Sequence, residues 1–205
     1  MNVTVSTKGR LISGNLPLPI ITSRLIIRGY RSTDLEAYHT LLTDQGAMEG
    51  KNISPSKDYT GKLLKDQLPP YRTDIILGIF LKKSDGNEGD LIGDGGMDNL
   101  RTEGEWPSLN YRFKTEHWRK GYATEFGKAF MKFWWKLPDE PRTLQVRPNS
   151  VNDQLDRSTV TERVYASVKI ENEASQKVLE KIGFELFDAE MGDNGLTHWR
   201  SIFLV

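Results

Sequence analysis

The chain has 205 residues and a mass of 23.4 kDa, which is room for one ordinary domain or at most two small ones. Hydrophobic residues make up 37% of it and aromatic residues 10%, which argues against wholesale disorder. Lys plus Arg and Asp plus Glu each number 28, so the chain lacks the basic excess typical of proteins that wrap nucleic acid. The absence of cysteine excludes disulfides, zinc–thiolate and iron–sulfur sites and a cysteine nucleophile.

No apolar run approaches the roughly 20 residues that a membrane helix needs. The first residues, 1–13, alternate small polar and β-branched side chains and lack the apolar core of a signal peptide. We therefore expect a cytoplasmic protein that has neither a membrane nor a nucleic acid as its partner.

The chain is predicted to contain one domain over residues 21–205, preceded by an N-terminal extension over 1–20. Residues 138–162 make a long, polar link between a predicted helix and a predicted strand, where a handful of residues would be enough. We interpret this link as an insertion that is partly disordered or contacts a partner.

The first half of the domain is predicted to contain more strands than helices. Residues 22–30 form a strand, and Thr33 and Glu36 have the spacing of a capping box at the start of a helix that runs to about Thr43. The next predicted elements are a short helix over 59–67 and strands over 73–83, 91–99 and 108–113.

In the second half, the apolar residues take up helical spacing at Gly121. A helix with one apolar face is predicted to begin there and to continue until Pro138 stops it. A strand over 163–170 and a helix from Asn172 to Gly183 follow, and strands over 184–187 and 198–204 close the chain. This order predicts an α+β fold in which one strand–helix–strand crossover joins an antiparallel meander.

The segment 111–125 carries the first chemical motif. A strand ends, a short turn follows, and a helix opens at Gly121, which is preceded by Arg119 and Lys120. The amides and partial positive charge of a helix N-terminus suit a phosphate group. A plain helix start with a solvated basic pair is the alternative, and the motifs of other phosphate loops are absent.

The segment 168–184 carries the second motif. Asn172 is placed to cap a helix, Ser175 lies at the third helical position, and Gly183 suits a left-handed helix end. Taken alone, this segment reads as an ordinary amphipathic helix.

Taken together, the two motifs make the sequence similar to the GNAT superfamily of acetyl-CoA-dependent N-acetyltransferases. The branch it resembles acetylates the N-termini of bacterial ribosomal proteins. The resemblance covers roughly residues 20–204 and rests on 22–28, 34–36, 118–125 and 172–184.

The resemblance implies a mixed, mostly antiparallel central sheet with splayed central strands and helices on both faces. Pantetheine would lie between strands 111–113 and 164–170, and the pyrophosphate would lie on the amides of 119–124. The cofactor-binding residues that the resemblance implies are Tyr111, Arg112, Phe113, Trp118, Arg119, Lys120, Gly121, Tyr122, Ala123, Thr124, Asn172, Ser175 and Lys177.

The reaction needs a proton donor for the departing thiolate and a base for the amine. The resemblance assigns the first role to Ser175 and, with a different spacing, the second to Glu190. The strand 108–113 holds no acid, so Asp98, Glu105, a water chain and an already neutral amine stay open as alternatives. The histidines His39, His117 and His198 are interpreted as surface or core residues, and no metal is expected.

The acceptor is expected to be a primary amine of a small molecule, an amino acid or a peptide N-terminus, and a homodimer is compatible with the sequence. By resemblance, its pocket would be lined by Tyr38, Leu42, Met48, Tyr59, Trp106 and Trp199. Two alternatives remain: an acetyl-CoA-binding module without catalytic activity, and an unrelated domain for a phosphate-bearing ligand.

Overall fold

The computed structural model describes residues 2–10, 16–48, 55–70, 74–98, 106–151, 159–191 and 195–201. The strands are β1 (Val3–Arg10), β2 (Ile20–Ile21), β3 (Leu25–Gly29), β4 (Ile75–Lys82), β5 (Glu88–Asp98), β6 (Ser108–Phe113), β7 (Asp139–Val146), β8 (Tyr165–Lys169), β9 (Phe184–Glu190) and β10 (Leu196–Ser201). The α-helices are α1 (Leu35–Thr43), α2 (Lys57–Asp66), α3 (Tyr122–Trp134) and α4 (Glu173–Lys181).

The central sheet has eight strands in the order β2-β3-β4-β5-β6-β8-β10-β9, and β1 pairs with β7 in a second sheet. Its neighbouring strands are antiparallel except β6 and β8, which run parallel and are joined through α3 and β7. The predicted mixed, mostly antiparallel sheet is therefore confirmed. Within the described ranges, no helix combines the length and the apolar character that crossing a membrane requires.

Side chains alternate along each strand, so neighbouring residues of the sheet pack in two different cores, one on each face. In β3, Leu25 and Ile27 pack in the core that the sheet shares with α3 and α4. Ile26, between them, points to the opposite face and packs against α1 and α2. Helices therefore cover both faces of the sheet, as predicted.

The N-terminal extension and the polar insertion pair with each other. β1 and β7 form an antiparallel ladder in which Val3 lies opposite Val146. Their apolar side chains pack with Trp106 and Tyr165 in a third core. Residues 139–146 of the predicted insertion therefore form an ordered strand, while the middle of the insertion lies outside the described residues.

The start of α1 differs from the prediction. The capping box of Thr33 and Glu36 is wrong, because a short 3-10 turn precedes the helix and the Asp34 carboxylate accepts the Arg31 amide at 2.8 Å. The same carboxylate also binds the guanidinium of Arg28, so a tertiary contact fixes its position.

Several strand bounds also differ from the prediction. The predicted strand 22–30 is shorter, Leu25–Gly29, because the Thr22 hydroxyl accepts the Leu25 amide at 2.8 Å and turns the chain between β2 and β3. β5 begins earlier than predicted, at Glu88, and β9 extends further, to Glu190, because the hairpin partner of each strand continues the ladder.

Arg28 is buried between two carboxylates. Its guanidinium donates to Asp34 at 2.7 and 3.0 Å and to Glu88 at 2.6 and 2.7 Å. Burial on its own raises the pKa of Asp34, but the hydrogen bonds from Arg28 and the Arg31 amide outweigh it and hold that pKa below its ordinary value. Asp34 is therefore ionised at neutral pH and compensates a buried cation.

We expect Asp34→Asn to lower the free energy of unfolding by about 3 kcal/mol at pH 7, because Arg28 then keeps only one of its two carboxylates. Since the folded pKa lies below the unfolded one, this contribution is full above the unfolded pKa near 3.8 and is lost as pH falls through the folded pKa. Urea unfolding curves of the two proteins should therefore begin to converge below about pH 4 and coincide below the folded pKa of Asp34. The exposed change Asp90→Asn is the control, and equal stability of Asp34→Asn and wild type at pH 7 would contradict the prediction.

Candidate active site

Strands β6 and β8 meet at one end and then diverge. Ser108 and Tyr165 are the one registered pair between these two described strands, and the Tyr165 amide donates to the Pro107 carbonyl at 2.8 Å. Beyond that pair, β6 is paired with β5 alone and β8 with β10 alone. We call the gap between β6 and β8 beyond the Ser108–Tyr165 pair the wedge, and it opens toward Phe113 and Lys169.

The edge of β6 that faces the wedge presents backbone groups that no strand pairs. On the other edge, the Lys114 amide donates to the Ile92 carbonyl at the end of the β5–β6 ladder. Because backbone groups of successive residues point to opposite neighbours, those of Leu109, Tyr111 and Phe113 point into the wedge. An extended ligand with amides of its own can pair with this edge as an added strand does.

Arg112, one of the predicted cofactor residues, faces elsewhere. Its backbone amide and carbonyl point toward β5 and not into the wedge. Its guanidinium donates to Asp94 at 2.7 and 2.8 Å. The Tyr30 hydroxyl donates to the same buried carboxylate at 3.0 Å. We therefore leave Arg112 out of the cofactor edge, because a shift of one residue along a strand reverses the direction of backbone and side chain alike.

The segment between β6 and α3 makes a tight turn at the open end of the wedge. Arg119 and Gly121 have positive φ angles of 57° and 81°, and Gly121 directly precedes α3. Such a turn directs successive amides to one side, and the first helical turn, Tyr122 to Thr124, adds amides that have no partner within the helix. The turn and the helix start therefore offer a concave, partially positive surface to an anion.

Arg24 holds this turn in place. Its guanidinium donates to the Lys120 carbonyl at 3.0 Å, pairs with Glu125 at 2.7 Å and lies 4.6 Å from the ring centre of Tyr122. The Glu125 carboxylate also accepts the Thr22 hydroxyl at 2.6 Å. No local sequence pattern reveals this support, because the residues that form it lie about a hundred positions apart in the chain.

A second set of contacts ties the turn to the end of α1. Asp44 accepts the amide of Thr115 at 3.0 Å and its hydroxyl at 2.6 Å. The Trp118 indole donates to the Phe113 carbonyl at 2.7 Å, while nearly half of the Trp118 surface stays exposed. The turn is therefore fixed from both sides before any ligand arrives.

Two hydroxyl groups, one from each side of the wedge, lie together near the start of α4. Asn172 caps α4 by accepting the Ser175 amide at 3.1 Å, as predicted. The Ser175 hydroxyl approaches that of Tyr111, which is buried and makes no well-formed hydrogen bond within the described part of the chain. Burial raises the pKa of Tyr111 to about 12, and the Ser175 contact opposes this rise only partly, so the phenol keeps its proton at neutral pH.

The carboxylates predicted as bases lie in different surroundings. Asp98 accepts the Asn110 side-chain amide at 3.0 Å, and its other oxygen is buried with no hydrogen-bond partner among the described residues. Burial raises the pKa of Asp98, whereas a hydrogen bond from Arg147 and then one from a histidine lower that of the exposed Glu190. The surroundings therefore shift the two pKa values in opposite directions, and Glu105 lies outside the described residues.

The remaining predicted residues are less closely connected to the wedge. Lys177 forms an exposed ion pair with Glu173 at 3.0 Å. Tyr38, Leu42 and Trp199, predicted to line an acceptor pocket, are buried in the cores on the two faces of the sheet. These three residues are therefore packing residues.

Comparison with known proteins gives a family and a fold. The family model for the acetyltransferase (GNAT) domain matches residues 24–185. No curated protein matches the chain.

Several solved structures are similar. A GNAT acetyltransferase from Bacillus anthracis aligns with a TM-score of 0.64 at 18% identity over 89% of this chain and 97% of its own. RimL, a ribosomal-protein α-N-acetyltransferase solved with coenzyme A, aligns with a TM-score of 0.64 at 14% identity. The alignment covers 90% of this chain and 98% of RimL. A spermidine N-acetyltransferase chimera of Vibrio cholerae SpeG and hSSAT aligns with a TM-score of 0.59 at 15% identity. The alignment covers 88% of this chain and 96% of the chimera.

The family model covers most of the chain, including the wedge-facing edge of β6, the turn before α3 and the start of α4. The solved structures share the fold over nearly their whole lengths. The protein is an acyltransferase, and its chain belongs to the GNAT acetyltransferase family.

Proposed function

We propose that the protein transfers the acetyl group of acetyl-CoA to the primary amine of a small molecule, an amino acid or a peptide N-terminus. The amine attacks directly in a ternary complex. The observation that carries this proposal is the wedge, an open strand edge with a turn of exposed amides at its mouth and the buried Tyr111 hydroxyl beside that of Ser175. Two similar structures are named for N-acetylation, of a ribosomal protein and of spermidine.

The residues around the wedge fit acetyl-CoA. The backbone groups of Leu109 and Tyr111 suit the two amides of a pantetheine arm, and the amides of residues 119–124 suit a pyrophosphate. Asn172 uses its side-chain oxygen for the helix cap, which leaves its NH₂ group to donate to the same arm.

Acetyl-CoA supplies an activated acyl carbon, so the protein needs no nucleophile of its own. A backbone amide on the open edge of β6 is placed to donate to the acetyl oxygen as negative charge develops there. In this proposal Ser175 donates a proton to the departing sulfur, and the protonated Tyr111 beside it is a second donor. Holding the amine beside the thioester provides much of the remaining acceleration.

Two measurements test the proposal. Calorimetry with coenzyme A, NAD and ATP should show binding of coenzyme A in preference to the other two. Thiol release from acetyl-CoA should then depend on a primary amine, tested with small amines, amino acids and peptides. Binding of coenzyme A without thiol release for any of these amines would instead support the acetyl-CoA-binding module without catalytic activity.

We expect Ser175→Ala to lower kcat at saturating acetyl-CoA by about a hundredfold, because the thiolate loses its proton donor. The KM for acetyl-CoA should change little, since the Ser175 backbone amide still completes the α4 cap. Stopped-flow or steady-state thiol release measures both constants. Ser84→Ala, in the turn between β4 and β5, is the matched control, and an unchanged kcat for Ser175→Ala would rule out the donor role.

A further inference from the structure

Polar side chains line the face of β8 and β10 that lies opposite α3 and α4. Ala166 and Val168 pack in the core shared with those helices, so the alternate residues Tyr165 and Ser167 point to the other face. His198 of β10 lies opposite Ser167 in the strand register. The sequence interpretation of this histidine as a plain core or surface residue missed these neighbours, because the pairing of β8 with β10 creates them.

His198 is only 2% exposed and lies between hydroxyl groups and a carboxylate. Its Nδ1 contacts the Tyr165 hydroxyl and lies 3.2 Å from the Ser167 hydroxyl. Its Nε2 lies 3.1 Å from Glu190 Oε1, at an angle short of a well-aligned hydrogen bond. Because an ionised carboxylate can only accept, the proton of the neutral imidazole belongs on Nε2, and Nδ1 is left as an acceptor for the hydroxyls.

This group borders the wedge. Tyr165 pairs with Ser108 at the closed end, and Ser167, which is exposed, follows on the strand that lines the open part. A small recess lies against the Tyr165 ring, and its lining residues are Trp106, Val146, Arg147, Ser150, Tyr165 and Phe187.

We propose that Ser167, His198 and Glu190 form a proton relay that deprotonates the acceptor amine. An ammonium proton passes to the Ser167 oxygen while the Ser167 hydroxyl proton passes to His198 Nδ1. The resulting imidazolium is stabilised by Glu190 and releases its Nε2 proton through that exposed carboxylate to water. One N–H bond breaks, and the electron pair it leaves on nitrogen is free to attack the acetyl carbon.

The roles within the relay differ. Ser167 is the residue that touches the substrate, whereas His198 and Glu190 act through it. Tyr165 positions the imidazole, since the two rings stack with centres 5.6 Å apart. The relay rests on the proposed function, and it gives Glu190 the place of a carboxylate partner, whereas the resemblance made it the base itself.

Titratable and charged groups face His198 from several elements. The titratable and charged groups that face it from β8, β9 and the segment after β7 are Tyr165, Asp188, Glu190 and Arg147. Arg147 lies 2.8 Å from Glu190 and 3.6 Å from Asp188, so one cation is set against two carboxylates. The Arg147 hydrogen bond and then the His198 contact hold the pKa of Glu190 below its ordinary value, which keeps it ionised at neutral pH.

The first test compares full-length variants in amine-dependent thiol release at saturating acetyl-CoA, from about pH 6 to pH 10. Ser167→Ala and His198→Gln should each lower kcat/KM for the amine at pH 7 by about a hundredfold. Both should approach wild type near pH 10, where the amine loses its proton unaided. Glu190→Gln should cost about tenfold, and His39→Gln, in α1, should match wild type. Acetyl-CoA affinity measured by calorimetry should be unchanged in all four variants.

The second test does not depend on turnover. ¹⁵N-histidine NMR of the wild type, assigned with the His39→Gln, His117→Gln and His198→Gln proteins, should show His198 protonated on Nε2 at pH 7.5. Ser167→Ala alters an exposed residue, so it carries the kinetic test even where His198→Gln does not fold.

Each failure has its own signature. A His198 protonated on Nδ1 overturns the relay. The relay is also overturned if the wild type is active and Ser167→Ala leaves kcat/KM for the amine unchanged. It is overturned as well if Asp98→Asn is the one variant whose kcat/KM falls at pH 7 and recovers near pH 10. A wild type that binds acetyl-CoA but acetylates no amine overturns the proposed function itself.

Discussion

Gly121→Ala should weaken the binding of acetyl-CoA by about 30-fold. Gly121 holds a φ of 81° at the start of α3, a conformation that costs a residue with a Cβ about 1–2 kcal/mol. The added methyl meets only Arg24 Nη2, at 3.5 Å, so backbone strain is the main effect of the change. Relaxing that strain turns the amides of the turn away from the pyrophosphate, and the loss of about 2 kcal/mol of charged hydrogen bonding corresponds to the stated factor. Calorimetric titration with acetyl-CoA measures it.

Gly86→Ala is the matched control for this change. Gly86 has a φ of 83° in the turn between β4 and β5, and a Cβ added there meets nothing within 4 Å. It should therefore lose a similar amount of stability while binding acetyl-CoA as tightly as wild type. If both variants bound acetyl-CoA equally well, the turn before α3 would not be the pyrophosphate site.

The sequence predicted the parts of the site that depend on local chain geometry. Gly183 has the positive φ angle that its place after a helix suggested. Asn172 caps its helix through the Ser175 amide, as its spacing implied. Each of these features is decided within about four residues, the range over which helix capping and glycine preferences act.

The parts that the sequence did not predict depend on contacts between distant segments. The strand Val3–Arg10 pairs with β7, which lies more than a hundred residues away in a polar segment of the chain. Polar, alternating residues in such a segment read equally well as a loop until the partner strand is known. The N-terminal extension and the insertion were therefore interpreted separately, although they form one sheet.

The side-chain neighbours around the wedge are equally non-local. Arg112 was assigned to the cofactor because it lies inside the matching strand, but alternation turns it toward Asp94. His198 was set aside because a single histidine in a strand carries no sequence signal. Its contacts with Ser167 and Glu190 exist only because β10 pairs with both β8 and β9.

Gly96→Ala should prevent the stable folding of the domain. Gly96 lies in β5 between β4 and β6, and a Cβ added to it would stand 1.7 Å from the Ile75 carbonyl oxygen and 2.8 Å from its carbon. Both are backbone atoms of the neighbouring strand, so no rotamer change relieves the contact and β4 must move away from β5. We expect a loss of more than about 4 kcal/mol, which is a large part of the stability of an ordinary domain.

The consequence reaches the wedge, because β5 carries β6 in its ladder and β6 presents the open edge. Circular dichroism and thermal unfolding of the purified variant should show no cooperative transition, and acetyl-CoA binding should be lost with it. Gly61→Ala is the control: it adds a methyl group inside α2, 3.9 Å from Leu35, and should raise the stability by about 0.5–1 kcal/mol. A Gly96→Ala protein that unfolds at the wild-type temperature would show that β4 and β5 are not packed as described, and the position assigned to β6 would then be wrong as well.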